Sequence, residues 1–194
     1  VIGTGGIAQS HINTIENLEN IQLIAVMDID AKRAEDTAVK YEAKAYNRLE
    51  DLLANPEIQA VHICTPHSFH ADQVISAAEA NKHVMVEKPV VLYKKEAEAV
   101  IKAWKDSKCK ITSNLILRES PRFKNIKRMI EDNNFGEIYH IEGDYLHNIL
   151  HKITDGWRGK MPFYSTVYGG GIHLIDLMRW LMNDEIKEVC SIGN

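Results

Sequence analysis

Four groups of residues have the types and the spacing to do chemistry. Gly3-Thr4-Gly5-Gly6-Ile7-Ala8 fits the pattern G-x-G-x-x-A. In such a run the first glycine permits a tight turn, and the second lets the backbone approach a pyrophosphate. The small last residue lets a helix pack on a strand. A helix that starts here offers free N–H groups to phosphate oxygens. Asp28 follows 20 residues after Ala8, where a carboxylate can accept hydrogen bonds from an adenosine ribose. Gly3, Gly5, Gly6, Ile7, Ala8 and Asp28 are therefore the first candidate cofactor residues. A carboxylate at Asp28 repels a 2′-phosphate, which favours NAD over NADP, although Lys32 and Arg33 soften that repulsion. The simpler alternative is a glycine-rich turn and an aspartate that caps the next helix.

The second group is Thr65-Pro66-His67-Ser68-Phe69-His70. It follows an apolar run, and ligands of open α/β sheets bind beyond the carboxyl ends of strands. Thr65, Pro66 and His70 join the cofactor candidates, with a plain polar loop as the alternative for His70. The third group is Glu87-Lys88-Pro89. Pro89 disfavours helix at Lys88, and a lysine at a strand end can point into a crevice. Partial burial would lower its pKa and suit it to proton transfer. Glu87 would orient it or hold a cofactor hydroxyl, and Glu87 and Lys88 both join the cofactor candidates; two solvated charges on a surface turn are the alternative. The fourth group runs from Gly169-Gly170-Gly171 through His173 and Asp176 to Trp180. His173 and Asp176, three apart, share a helix face. His173 is expected in the first turn, where the positive helix end keeps an imidazole neutral and able to relay a hydroxyl proton. His140, His147 and His151 have no cysteine or acidic partner in register, so no metal site is expected from them.

The elements that must position these groups follow from apolar periodicity. Short apolar runs at Val1–Ile2, 23–27, 60–64, 83–86 and 110–117 read as strands. They alternate with amphipathic stretches at 7–17, with Ile7, Ile12 and Ile15 on the buried face, and at 31–41, 71–80 and 94–104. Strands alternating with helices mean βαβ units and a parallel sheet. The rhythm changes near residue 118: a helix over 121–131, a turn at Asn133–Gly136, an alternating strand over 138–146, an irregular stretch, and an apolar helix over 172–182. The expected organisation is a dinucleotide-binding domain over 1–117 and the first part of a second domain over 118–194. The chain opens inside its first motif and closes on Ser191–Asn194 without a stop-like turn, so a truncated chain is expected.

Composition excludes several classes. The chain has 194 residues, 45% hydrophobic and 26% charged, with a net charge of −4. It can bury an ordinary core, and no basic surplus exists to neutralise a nucleic-acid backbone. Cys64, Cys109 and Cys190 are far apart and form no disulfide framework, which reads as a reducing, cytoplasmic setting. No apolar run approaches the ~20 residues of a membrane span.

Taken together, Gly3 to Ala8 with Asp28, Thr65-Pro66 through His70 and Asn81-Lys82-His83-Val84 to Glu87-Lys88-Pro89, and Gly169 to Trp180 resemble the Gfo/Idh/MocA oxidoreductases. The resemblance implies an N-terminal Rossmann domain followed by an α/β domain on a large, mostly antiparallel sheet, often a homodimer or homotetramer contact. It implies that the chain stops partway through that second domain. It also implies an NAD(P)-dependent dehydrogenase acting on a secondary alcohol of a sugar, polyol or sugar derivative. Lys88 matches the family's catalytic lysine, and His173 the histidine of its D-x-G-x-H motif. That motif's aspartate falls on Gly169, so the carboxylate is missing. Lys88, His173, Asp176, Asn114 and Arg118 are the substrate-binding candidates, the last two at positions the family fills near its interdomain cleft. Tyr145, His147, His151, Trp157, Arg158 and Tyr164 are candidate sugar contacts. The alternative reading is a catalytically weak regulatory protein of the same fold that binds dinucleotide or sugar.

Overall fold

The structure, a computed structural model, describes residues 1–161 and 164–192. Pro162 and Phe163 of the irregular stretch, and Gly193 and Asn194 at the close, lie outside the described residues. The chain divides into two compact units, Val1–Asn114 and Leu115–Asn194.

The first unit is a parallel sheet covered on both faces. Its elements are α1 (Gly6–Ile15), β1 (Ala25–Met27), α2 (Ala31–Lys40), β2 (Lys44–Tyr46), α3 (Leu49–Leu53), β3 (Ala60–Ile63), α4 (His70–Glu79), β4 (His83–Val86), α5 (Lys94–Asp106) and β5 (Ile111–Ser113). β1 pairs with β2, and β3 with β4 and then β5, all parallel. Ile2 bridges Met27 on one side and Ile63 on the other. The strand order is therefore β2, β1, the Val1–Ile2 segment, β3, β4, β5, with the order reversing beside Ile2. That reversal is where an open α/β sheet binds its ligand.

Strands buried on both faces must be continuous apolar runs, and Ala25-Val26-Met27 is one. One core joins Ile2, Leu52, Ile63, Val74, Val86 and neighbours; the other joins Val1, Ala8, Ile12, Leu23, Val26, Ala38 and Cys64. Each fully buried aliphatic side chain contributes about 1.5–3 kcal/mol. Within α1, Ala8 and Ile12 are fully buried but Ile7 is half exposed, so Ile7 does not join the buried face expected for it. Helix geometry explains this: Ala8 and Ile12 lie four apart on one stripe, and Ile7 stands beside it. β2 and α3 are short, and the period of their sequence does not announce them.

The second unit contains a 3₁₀ turn (Ile116–Glu119), α6 (Pro121–Glu131), α7 (Leu150–Thr154), a second 3₁₀ turn (Trp157–Lys160), a π-helical turn (Val167–Gly171) and α8 (Ile172–Met182). The mostly antiparallel sheet expected here is not supported, since every strand pair among the described residues is parallel. Residues 138–146 form no strand. Alternating polarity sets which side chains share a face, but a strand also needs a neighbouring backbone to bond. This segment instead passes close to α8: a Cβ at Gly143 would stand 2.7 Å from Leu174 Cδ1 and 2.8 Å from Met178 Cε.

Candidate functional site

The first unit gathers most of its candidates at the carboxyl ends of its strands. Gly3 has φ +83°, and a Cβ there would stand 3.0 Å from Thr65 Cγ2 and 3.1 Å from both Cys64 C and Thr65 N. Only glycine fits a turn that presses this closely on the chain leaving β3. At Gly5 and Gly6 a Cβ would meet nothing within 4 Å. The α1 N-terminus carries no side-chain cap. Open space in front of uncapped N–H groups fits a pyrophosphate.

Asp28 is buried just past β1. Its Oδ2 accepts from the Thr4 N–H and the Thr4 hydroxyl, both at 2.9 Å. Its Oδ1 accepts from the Asp30 N–H at 3.1 Å and from Arg33 Nη2 at 2.9 Å. Burial alone would raise this carboxyl, but those N–H groups, the hydroxyl and the Arg33 charge hold it below its usual value. The α2 cap is Asp30, whose side chain accepts from the Arg33 N–H. Asp28 is thus not the helix cap that the simpler reading offered. Lys32, Arg33 and Lys40 line an open depression beside Thr4. Arg33 is half exposed, so a ribose hydroxyl can take its place on Oδ1.

Glu87 follows β4 and is buried. Its Oε1 accepts from Asn114 Nδ2 at 2.8 Å and lies 2.7 Å from His11 Nε2. Burial would raise this carboxyl, but the bonds from His11 and Asn114, with the charges of His11 and Lys88, hold it down at about 2. Asn114 therefore orients Glu87, and so does His11, which has no marker in its local sequence. Lys88 stands next, partly buried, before a cis peptide bond to Pro89.

His70 is fully buried. Its Nδ1 lies 2.7 Å from Pro89 O and its Nε2 2.8 Å from Thr65 O. No part of the ring remains at the surface for a ligand. His70 ties the Thr65-Pro66 loop to the Glu87-Lys88-Pro89 loop, which corrects its expected direct contact with a cofactor.

In the second unit, Arg118 grips Asp176 through Nε at 2.7 Å and Nη2 at 2.5 Å. These two substrate candidates are committed to each other, and the pair fastens the first 3₁₀ turn to α8. His173 is buried on α8, and the Tyr145 ring stacks on it at 6.4 Å between centroids. α8 has no free start near His173, because the Val167–Gly171 turn runs into it in helical conformation. The start of the helical run therefore precedes His173, and the expected protection by a bare helix end does not apply. At Gly169, where the family motif has its carboxylate, the Tyr164 hydroxyl occupies the space a side chain would take. Among the other sugar candidates, Arg158 lies over the Trp157 ring at 4.5 Å.

Parallel strands in this order, a glycine turn at the reversal point and a carboxylate past the next strand define a dinucleotide-binding Rossmann unit. Residues 1–115 match the Gfo/Idh/MocA family under the description "Oxidoreductase family, NAD-binding Rossmann fold", and residues 123–194 match its "C-terminal domain". The chain belongs to the Gfo/Idh/MocA oxidoreductase family, and its first unit is of the NAD-binding kind. It is 30% identical over 196 residues to an inositol 2-dehydrogenase of Salmonella typhimurium, covering 97% of this chain and 55% of that protein. The crystal structure of a myo-inositol dehydrogenase from Lactobacillus casei with NAD(H) and myo-inositol matches with a TM-score of 0.78 at 25% identity, over 95% of this chain and 53% of that one. A myo-inositol 2-dehydrogenase from Lactobacillus plantarum shares the fold, with a TM-score of 0.85 at 23% identity, over 93% of this chain and 54% of that one. The chain spans about half the length of the curated relatives it matches.

Proposed function

We propose that the chain is the cofactor-holding part, with the beginning of the substrate-holding part, of an NAD-dependent dehydrogenase. Its substrate is a secondary alcohol on a polyol, sugar or sugar derivative. The carrying observation is the set of strand-end groups in the first unit. The open turn at Gly5, the buried Asp28 and the Glu87-Lys88 pair, braced by His11 and Asn114, all belong to one sheet end. Names of relatives support the substrate class, since the Salmonella protein is an inositol 2-dehydrogenase.

A bound nicotinamide dinucleotide supplies the hydride acceptor. Gly3 to Ala8 hold its pyrophosphate and Asp28 its adenosine ribose. Lys88 holds the substrate hydroxyl, takes its proton and stabilises the developing alkoxide. Glu87 fixes Lys88 electrostatically, and His173 is the second proton carrier. The Asp28 carboxylate favours NAD, while Lys32, Arg33 and Lys40 reduce the penalty for a 2′-phosphate. The working protein is a cytoplasmic homodimer or homotetramer through its second domain.

One observation favours a second reading, a regulatory binder of dinucleotide or sugar. Gly169 provides no carboxylate, and Tyr164 fills that space.

The test uses the natural protein expressed from its complete reading frame, with NAD and a panel of polyols, sugar acids and nucleotide sugars, following nicotinamide reduction. Turnover with one substrate group is expected. Lys88→Ala should lower it at least ~100-fold while NADH affinity stays near normal. Near-normal turnover in that variant would remove Lys88 from the chemistry. Tight NADH binding with no turnover across the panel would favour the regulatory reading.

A further inference from the structure

Beneath the glycine turn lies a cluster of which the proposed chemistry uses only His11, as a brace for Glu87. His62 is on β3 and Cys64 is two residues further on, so their side chains leave the same face of the sheet. His11 reaches that face from α1. One ligand atom from each of the three lies within 4.8 Å of the others. The His11 and His62 rings stand 4.1 Å apart between centroids, tilted by 53°. Cys64 is buried, and it is a free thiol.

Two features set this cluster apart from ordinary packing. His62 Nε2 is buried with no hydrogen-bond partner. Buried polar atoms are nearly always satisfied, and an exception calls for a missing ion or water. A valine between Val61 and Ile63 would cover this face without stranding a ring nitrogen. The second feature is charge. The Glu87 carboxylate, 2.7 Å from His11 Nε2, is an anion at the edge of the cluster. An imidazole can hold a carboxylate with one nitrogen and a metal with the other, and the outer carboxylate then fixes the ring.

We propose that His11, His62 and Cys64 form a binding site for a borderline-soft divalent ion of the zinc class. Two imidazole nitrogens and one sulfur match that class, and three protein ligands leave a fourth position open. On binding, the Cys64 S–H proton leaves to solvent as the metal–sulfur bond forms, and both imidazoles donate as neutral ligands. No redox change is involved. The site would lock α1 to β3 and, through His11, hold the Glu87 carboxylate in place. It does not depend on the dinucleotide or on any turnover.

Cobalt(II) is the probe, added to metal-free natural protein. One equivalent should produce thiolate-to-cobalt charge-transfer absorption and release one proton, and zinc(II) should displace it stoichiometrically. Cys64→Ser should abolish the absorption. His62→Val, an apolar replacement suited to the strand, should weaken binding by about 100-fold or more, beyond the effect of losing an outer partner. Cys109→Ser and Cys190→Ser should leave the absorption unchanged. Absence of the thiolate band, its survival in Cys64→Ser, or unchanged affinity in a folded His62→Val protein would each overturn the assignment.

Discussion

Gly3 and Gly5 stand two residues apart in one turn, and alanine should harm them in different ways. At Gly3, φ is +83°, and a left-handed backbone costs an L-residue about 1–2 kcal/mol. The new methyl would also stand 3.0–3.1 Å from Thr65 Cγ2, Cys64 C and Thr65 N. Two of those atoms are backbone, which cannot rotate away. Overpacking of this kind adds about 1–3 kcal/mol. The sum, about 2–5 kcal/mol, is a large part of a typical domain's stability and corresponds to a melting point lower by roughly 5–20 °C. Gly5 has φ −68° and ψ −175°, which any residue adopts, and a Cβ there meets nothing within 4 Å. Gly5→Ala should therefore fold within about 0.5 kcal/mol of the parent. Its methyl would project into the space we propose for the pyrophosphate, and NADH affinity should fall at least ~10-fold. Urea unfolding followed by circular dichroism reads the first effect, and NADH fluorescence titration reads the second. A Gly3→Ala protein as stable as the parent would refute the steric reasoning. A Gly5→Ala protein that binds NADH normally would refute the placement of the pyrophosphate.

Two further outcomes follow from the same strand ends. Asp28 is held below its usual pKa in the folded protein, so its stabilising contribution is complete above the unfolded value near 4. It is lost as pH falls through the folded value. Urea midpoints should drop more steeply below pH 4 in the parent than in Asp28→Asn, and equal slopes would show that the carboxylate is not selectively stabilised by folding. His70→Ala removes the link between Thr65 O and Pro89 O. A loss of about 1–3 kcal/mol is expected from the carbonyl left without its N–H donor, with weaker NADH binding because both loops loosen. Full stability with unchanged binding in that variant would show that the two loops hold without the ring.

Legibility in the sequence was greatest where a pattern has one physical solution. Apolar runs alternating with amphipathic helices bury a sheet on both faces, and β4 and α6 lie where periodicity places them, at His83–Val86 and Pro121–Glu131. G-x-G-x-x-A marks its own turn, because a tight turn, a close backbone approach and a packed helix each demand a small residue at a fixed offset. β2 and α3 were not legible, since both are short and stabilised by what they pack on. The segment 138–146 has a strand's alternation but lacks a strand's neighbour, and alternation alone cannot provide one.

The roles of individual side chains were decided at a longer range. His70 reads as a polar loop residue until Thr65 O and Pro89 O are brought to either side of its ring. Arg118 and Asp176 read as free groups for a substrate until the fold joins them across 58 positions of sequence. His62 and Cys64 share a strand face by their spacing, but nothing in the sequence brings His11 to them. From sequence alone come the βαβ rhythm, the glycine turn with its distant carboxylate and the Glu87-Lys88-Pro89 motif, because local sterics and hydrophobic burial act over a few residues or one repeating period. Tertiary structure alone decided which polar groups are satisfied by one another and which remain to meet a ligand. Hydrogen bonds and ion pairs depend on distances of about 3 Å, and only the folded chain establishes those between residues far apart in sequence.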